Sequence, residues 1–389
     1  MEKKDQIEKR KSLRKKKQIQ LKLGELQRQN KKLQAEQEKY ANQFLIAVKH
    51  LSSEQQERAK LTKRLEQQEE YTKKILQILT TIEKEFTERI ELLEYKNQLR
   101  STNFIYEWKT EELPNWFFYP QIRSKEETIQ DIVENRKSLA RFGDGEFAIM
   151  FGKERAAFQC GGEKLRQRLL EVLQEKQDSL LIGIANHYGS LKKFTEKAAD
   201  DIRAYMTEEV RKEHLSVLDS NRVYEDAYIT RPYALYQDNQ TDDPKERFTA
   251  LQTIWRDREV IFVEGEKTRM GAGNSLFDCA KSRQRVLCPA EHAFSRYEEV
   301  LAYLLTLSKE KLYLLALGPM ATVLAADLAK RGFQAIDIGH LDLEYEWYQI
   351  GAGGPANVPY KYNNEFPGGR ETLDFSDMQY EQEILQRFL

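Results

Sequence analysis

At 389 residues, with 62 Lys and Arg against 63 Asp and Glu, the chain has room for two or three domains and carries no global field that would draw nucleic acid. Three isolated cysteines, Cys160, Cys279 and Cys288, form no C-x-x-C pair and no zinc-site spacing, which excludes a disulfide scaffold and points to a reducing compartment. The N-terminus lacks the apolar stretch of a secretory leader, and no run approaches the roughly 18 apolar residues that span a bilayer. The expectation is a cytoplasmic protein.

Residues 1–22 are basic, with Arg10, Lys11, Arg14, Lys15, Lys16 and Lys17 close together. Such a run is a solvated helix face or a patch for anionic lipid or an acidic protein, the second placing the chain at the inner face of the membrane. From Leu23 a 3-4 apolar spacing continues through Leu26, Leu33, Tyr40, Phe44, Leu51, Leu61, Leu65, Ile75, Leu79, Ile82, Phe86 and Leu93, with Asn30 in a core position. Proline and glycine are absent between Gly24 and Pro114. The pattern predicts a coiled coil over 23–100, a homo-oligomer of low order and a rod of roughly 100 Å. The alternative is one long amphipathic helix folded back on the catalytic part. Residues 101–123, with Trp108, Trp116, Phe117, Phe118 and Tyr119, read as an aromatic linker.

Residues 124–370 alternate helical patterns with short apolar runs, and 371–389 read as a C-terminal helix. Strands are predicted at 139–142, 180–184, 227–230, 260–263, 285–288, 312–317 and 335–338. Helices are predicted at 126–136, 163–177, 191–206, 244–255, 297–308 and 321–331. This is an α/β chain with a Rossmann-like, mainly parallel sheet and flanking helices, preceded by the coiled coil. In such sheets ligands sit beyond the carboxyl ends of the strands. The predicted strands do run into polar, glycine-bearing loops.

The first loop holds Asp144 and Glu146 between Gly143 and Gly145. Carboxylates at i and i+2 suit Mg²⁺ or Mn²⁺, which take the rest of their shell from water and phosphate. Asn186 and His187 follow the second strand and Arg231 the third. Glu264, Lys267, Arg269, Gly271, Gly273 and Asn274 follow the fourth, Gly318 and Thr322 the strand at 312–317, and His340, Asp342 and Glu344 the last. Arg231, Lys267 and Arg269 are candidates to neutralise a diphosphate. Gly271 and Gly273 would shape a nest of backbone donors before Asn274, and Gly318 would open a helix whose free N–H groups hold phosphate. His340, Asp342 and Glu344 face one side if the strand continues; if a helix starts there, Asp342 is its cap. Arg141 lies opposite its apolar neighbours, where it binds phosphate or pairs with a carboxylate. No Walker loop, dinucleotide glycine motif or G-x-S-x-G occurs.

Five ordered segments, 140–146, 230–233, 263–277, 316–325 and 336–347, resemble the GT-D type glycosyltransferases, formerly a bacterial domain of unknown function found in surface-glycan loci. The resemblance covers roughly 126–352. It implies a nucleotide-sugar donor, UDP-hexose in the family's pattern, a glycan acceptor on protein or lipid, and Mn²⁺ or Mg²⁺ at Asp144 and Glu146. Asp342, Glu344 or Glu264 would act as the base if configuration inverts. Met320 and Ser275 depart from the Thr and Asp of many members. Rival readings are a metal-dependent phosphohydrolase and a coiled-coil scaffold with an inactive α/β domain.

Overall fold

The structure is a computed structural model that describes residues 21–46, except 25, 27, 35 and 38, and residues 65–389, except 154–158, 160, 161 and 242. It divides into two compact units, Met1–Leu92 and Leu93–Leu389. In the first, α1 (21–46) and the N-terminal part of α2 (Leu65–Glu107) meet where the rings of Tyr40 and Phe86 lie 5.5 Å apart. One uninterrupted helix would hold those residues about 70 Å apart at 1.5 Å per residue. The two segments therefore double back, which corrects the single straight rod. Leu23, Phe44, Ile78, Ile82 and Phe86 remain exposed along them. The basic cluster at 10–17, together with Leu51 and Leu61, lies outside the described residues.

The last turns of α2 belong to the second unit. Arg203 grips Glu107 through two bonds of 2.6 and 2.9 Å, and Arg211 Nη2 donates to Asn103 Oδ1 at 2.6 Å. The chain then turns back, and Tyr119 donates its hydroxyl to the Tyr106 carbonyl at 2.7 Å while Phe117 packs on the Tyr106 ring. The aromatic cluster is thus a folded-on corner, its rings mostly half-buried.

The sheet has nine strands: β1 (Gln121–Ile122), β2 (Ser138–Phe142), β3 (Leu180–Ile184), β4 (Val223–Asp226), β5 (Glu259–Gly265), β6 (Ser282–Cys288), β7 (Leu312–Ala316), β8 (Gln334–Asp337) and β9 (Ile384–Arg387). Their order is β1-β4-β3-β2-β8-β7-β5-β6-β9, and every pairing is parallel. Central strands such as β3, Leu-Leu-Ile-Gly-Ile, and β7, Leu-Tyr-Leu-Leu-Ala, read as unbroken apolar runs because both their faces are buried. α10 (Pro319–Ala329) is buried nearly all round; its Ala321 and Ala325 let it lie close on β2 and β8. From β2 the chain first builds outward to β3 and β4, then crosses to β5, and returns to place β8 beside β2. In doubly wound sheets ligands sit at such a reversal, here the carboxyl ends of β2 and β8.

Several predicted elements are corrected. Residues 227–230 form a 3-10 turn, and the strand precedes it as β4, where exposed Val223 and charged Glu225 and Asp226 obscure the apolar signal. The C-terminal helix shrinks to Met378–Gln382, and the chain continues as β9, which adds to the open edge of β6. Two further helices are α4 (Asp144–Met150), whose flanking glycines mask its helical pattern, and α7 (Glu208–Val217).

Candidate active site

At the end of β2, Gly143 turns the chain straight into α4, placing Asp144 and Glu146 in the first helical turn. Free N–H groups and the helix dipole favour carboxylates there. Glu146 Oε2 reaches back to accept the Gly143 N–H at 2.8 Å. Asp144 is exposed and Glu146 half-buried. Burial, opposed by the Gly143 N–H and reinforced by the charges of Asp337 and Asp144, pushes the Glu146 carboxyl up to about 7. A Cβ at Gly145 would meet nothing within 4 Å, so the surface between the two carboxylates is open.

The next residue anchors this helix. Phe147 stacks on the His214 imidazole with centroids 3.7 Å apart, and His214 bonds the hydroxyls of Tyr188 at 3.0 Å and Tyr205 at 2.9 Å. Burial, helped by Arg211 and Lys153, holds His214 down at about 3, so the ring is neutral.

Arg141 takes the second of the alternatives left open for it. Its guanidinium donates to the Asp337 carbonyl at 2.8 Å and carboxylate at 2.7 Å, and to the Ala227 carbonyl at 3.4 Å. It ties β2 to β8 and to the 3-10 turn rather than standing free for phosphate. Gly339, with φ +46°, permits this: a Cβ there would lie 2.1 Å from Arg141 Nη2. Thr322, predicted to bind substrate, is fully buried and donates to the Arg141 carbonyl at 2.9 Å. Gly318, φ +56°, caps α10 with Pro319 in its first turn.

Beside Asp144, at the ends of β3 and β4, Asn186 donates to Asp226 at 3.3 Å, and Asp226 also accepts the Tyr228 N–H at 2.9 Å. Buried His187 meets the Tyr228 hydroxyl through Nδ1 at 3.1 Å, while its Nε2 has no partner. Burial and the neighbouring His214, Arg211 and Lys193 keep His187 neutral. Burial raises the Tyr228 hydroxyl pKa, and the charges of Asp226 and Asp144 add to it. Tyr228 escaped sequence reading because 227–230 looked like strand core.

The remaining predicted residues gather around α11 (Leu341–Gln349) and the loop at 356–371. His340, not Asp342, precedes the helix, and Asp342 and Glu344 occupy its first turn. Glu344 is fully buried, accepts the Tyr233 and Ala234 N–H groups at 2.9 and 2.8 Å, and faces Arg231 Nε at 2.9 Å. Arg231 forks onto Glu365 at 2.5 and 2.8 Å. Asp342 accepts the Gly271 N–H at 2.9 Å, the Asn274 amide at 2.8 Å and the ammonium of buried Lys361 at 2.5 Å. Lys361 also pairs with Glu346 at 2.8 Å. Glu264, fully buried, holds Arg285 at 2.6 Å and the Met270 N–H at 2.7 Å. Arg269 is turned to the Tyr360 and Leu373 carbonyls, and the Lys267 carbonyl accepts the Tyr362 N–H at 2.8 Å. Gly271, φ +68°, lies against Phe277, while Gly273, φ +79°, is open. His340, half-exposed, bonds Asn364 at 3.0 Å and lies 3.5 Å from Glu365. Of the candidate proton acceptors Glu264, Asp342, Glu344 and His340, the three carboxylates are buried and His340 is within solvent reach.

The fold is a doubly wound α/β sheet whose polar, glycine-bearing loops gather at its carboxyl edge. Residues 139–366, more than half of the chain, match the family described as the glycosyltransferase GT-D fold. The chain belongs to that family. It is 32% identical over 270 residues to the glycosyltransferase GlyD of Streptococcus pneumoniae serotype 4, and 30% identical over 265 residues to a probable glycosyl transferase, Gly, of Streptococcus gordonii. Those alignments cover 69% and 68% of this chain but only 33% and 38% of the relatives. Among solved structures, domain of unknown function 1792, described as having a distinct glycosyltransferase fold, matches with TM-score 0.65 and 33% identity over 69% of this chain and 96% of that one. A structure described as a new glycosyltransferase from Streptococcus sanguinis matches with TM-score 0.64 and 29% identity, covering 69% of this chain and all of that one.

Proposed function

We propose that the chain transfers a hexose from a nucleotide sugar, UDP-linked, to a bacterial surface-glycan acceptor on protein or lipid, with Mn²⁺ or Mg²⁺ held by Asp144 and Glu146. The carrying observation is the electrostatics at α4: two carboxylates one residue apart, Glu146 raised by burial beside the charges of Asp337 and Asp144, and open surface at Gly145. A divalent cation relieves that repulsion. A hard cation held by these two carboxylates would complete its shell with water and substrate phosphate. When bound, the metal supplies charge for the leaving diphosphate.

The protein's own groups do the rest. Arg141 and Asp337 lock the ends of β2 and β8 so that α4 starts at a fixed place. Tyr228, oriented by His187, presents a neutral hydroxyl on the Asp144 side of the carboxyl edge. His340 is the accessible candidate for taking the acceptor proton, its ring steadied by Asn364 and Glu365. The exposed apolar side chains of α1 and α2 support self-association through the helical unit. No described helix is long and apolar enough to cross a membrane. The basic N-terminus is proposed to meet a membrane surface or a protein partner, at the cytoplasmic side.

The test is turnover of UDP-sugars with Mn²⁺ by wild type and by Asp144→Ala. Hydrolysis or transfer by the wild type and its loss in the variant supports the reading. Inertness of the wild type toward every nucleotide sugar overturns it.

A further inference from the structure

A cleft of about 520 Å³ opens beside the glycine loop that follows β5. Its volume is within the range of small-ligand sites. Its floor is a fixed ladder: Arg283 donates to Glu383 at 3.1 Å, Arg285 to the other Glu383 oxygen at 2.7 Å and to Glu264 at 2.6 Å. One wall is Asn274, locked to Glu346 at 2.7 Å. Gln349 and Gln379 stand exposed in its lining and offer neutral amides.

The charge balance selects the ligand. Asp278, Glu346, Asp377 and Glu383 line the cleft against Arg283 and Arg285, and both arginines are already paired with carboxylates. A diphosphate would meet net negative charge here. A neutral polyhydroxyl chain meets what it needs, acceptors and amides held in fixed positions with few apolar atoms. Location points the same way. β5 is three places from β2 in the sheet, so the cleft is displaced by about 14 Å or more from Asp144 at the usual strand spacing. It starts at residues 271–275, beyond the carboxyl end of β5, and runs along β6 and β9, beyond a donor seated at α4 and within reach of an extended chain of sugars.

We infer that this cleft binds the sugar units of an oligosaccharide acceptor that are remote from the reacting hydroxyl. The inference rests on the glycosyl-transfer reading for its purpose, though the binding itself is separable. Selection for acceptor length then resides in β6, β9 and the residues 271–275, far from the metal pair.

The experiment uses the full chain and neutral gluco-, galacto- and N-acetylglucosamine oligosaccharides of one to six units, with binding followed by calorimetry and donor hydrolysis measured in parallel. In the double variant Gln349→Ala/Gln379→Ala the longer oligosaccharides should bind about tenfold more weakly, as loss of one or two hydrogen bonds implies. Monosaccharide binding and donor hydrolysis should be unchanged. Asp278→Asn, which keeps the side-chain volume, should give a smaller loss of the same length-dependent kind. The inference is overturned if no oligosaccharide binds the wild type, if the variants bind all lengths as the wild type does, or if short and long oligosaccharides weaken together. Wild-type oligosaccharide binding that depends on these glutamines, with no turnover of any nucleotide sugar, would keep the cleft and remove the transferase reading; donor turnover without such binding would do the reverse.

Discussion

The two halves of the sheet's carboxyl edge carry similar residues in opposite states. On the β5–α11 side every buried carboxylate faces a cation: Glu264 with Arg285, Asp342 with Lys361, Glu344 with Arg231. At α4 the half-buried Glu146 has the charges of Asp337 and Asp144 for neighbours and is pushed toward neutrality. The contrast separates framework from reagent. A compensated carboxylate fixes a loop, and removing its partner leaves a buried charge. Glu146, pushed toward neutrality at an open helix start, is suited to a ligand that brings positive charge.

The largest effect should be on turnover. Asp144→Ala is expected to cut Mn²⁺-dependent donor turnover by about two orders of magnitude or more, in line with loss of a charge-stabilising group, with thermal midpoint unchanged because Asp144 is exposed. Lys361→Met should do the converse. It strands Asp342 and Glu346 beside a buried methionine and should cost about 3 kcal/mol or more, read by urea denaturation. Gly339→Ala combines a strained backbone with a clash against Arg141 and should cost about 2 kcal/mol, with turnover lowered as β8 and β2 lose their brace.

The smallest effect is a pH dependence. Folded His214 stays neutral down to about 3, whereas in the unfolded chain it takes a proton near 6.5. The unfolded state therefore binds more protons below 6.5, so stability present at pH 7 is lost as pH falls. The loss should reach about 2 kcal/mol by pH 5. His214→Phe should flatten that slope; an identical slope in the variant would remove the assignment.

Much of this contrast was legible in the chain, and the illegible part has physical causes. Buried strands such as 180–184 and 312–316 announce themselves as apolar runs, and their polar sequels mark the loops. Pairings are another matter. Arg141 and Asp337 are 196 residues apart, and their bond follows from β8 returning beside β2. Lys361 looks like any surface lysine until the loop at 356–371 folds it under α11. α4 was hidden because glycines that suggest a turn instead start a helix. Of the two departures from the family pattern, Ser275 still bonds the Tyr345 hydroxyl at 2.9 Å, and Met320 fills the core. Neither leaves a gap in its loop.

The most direct test measures UDP-sugar turnover with Mn²⁺ and thermal midpoint side by side in wild type, Asp144→Ala and Lys361→Met. The separation of reagent from framework predicts that Asp144→Ala loses turnover at wild-type stability, while Lys361→Met loses stability first. Full turnover in Asp144→Ala, or a fall in its midpoint as large as that of Lys361→Met, would contradict it.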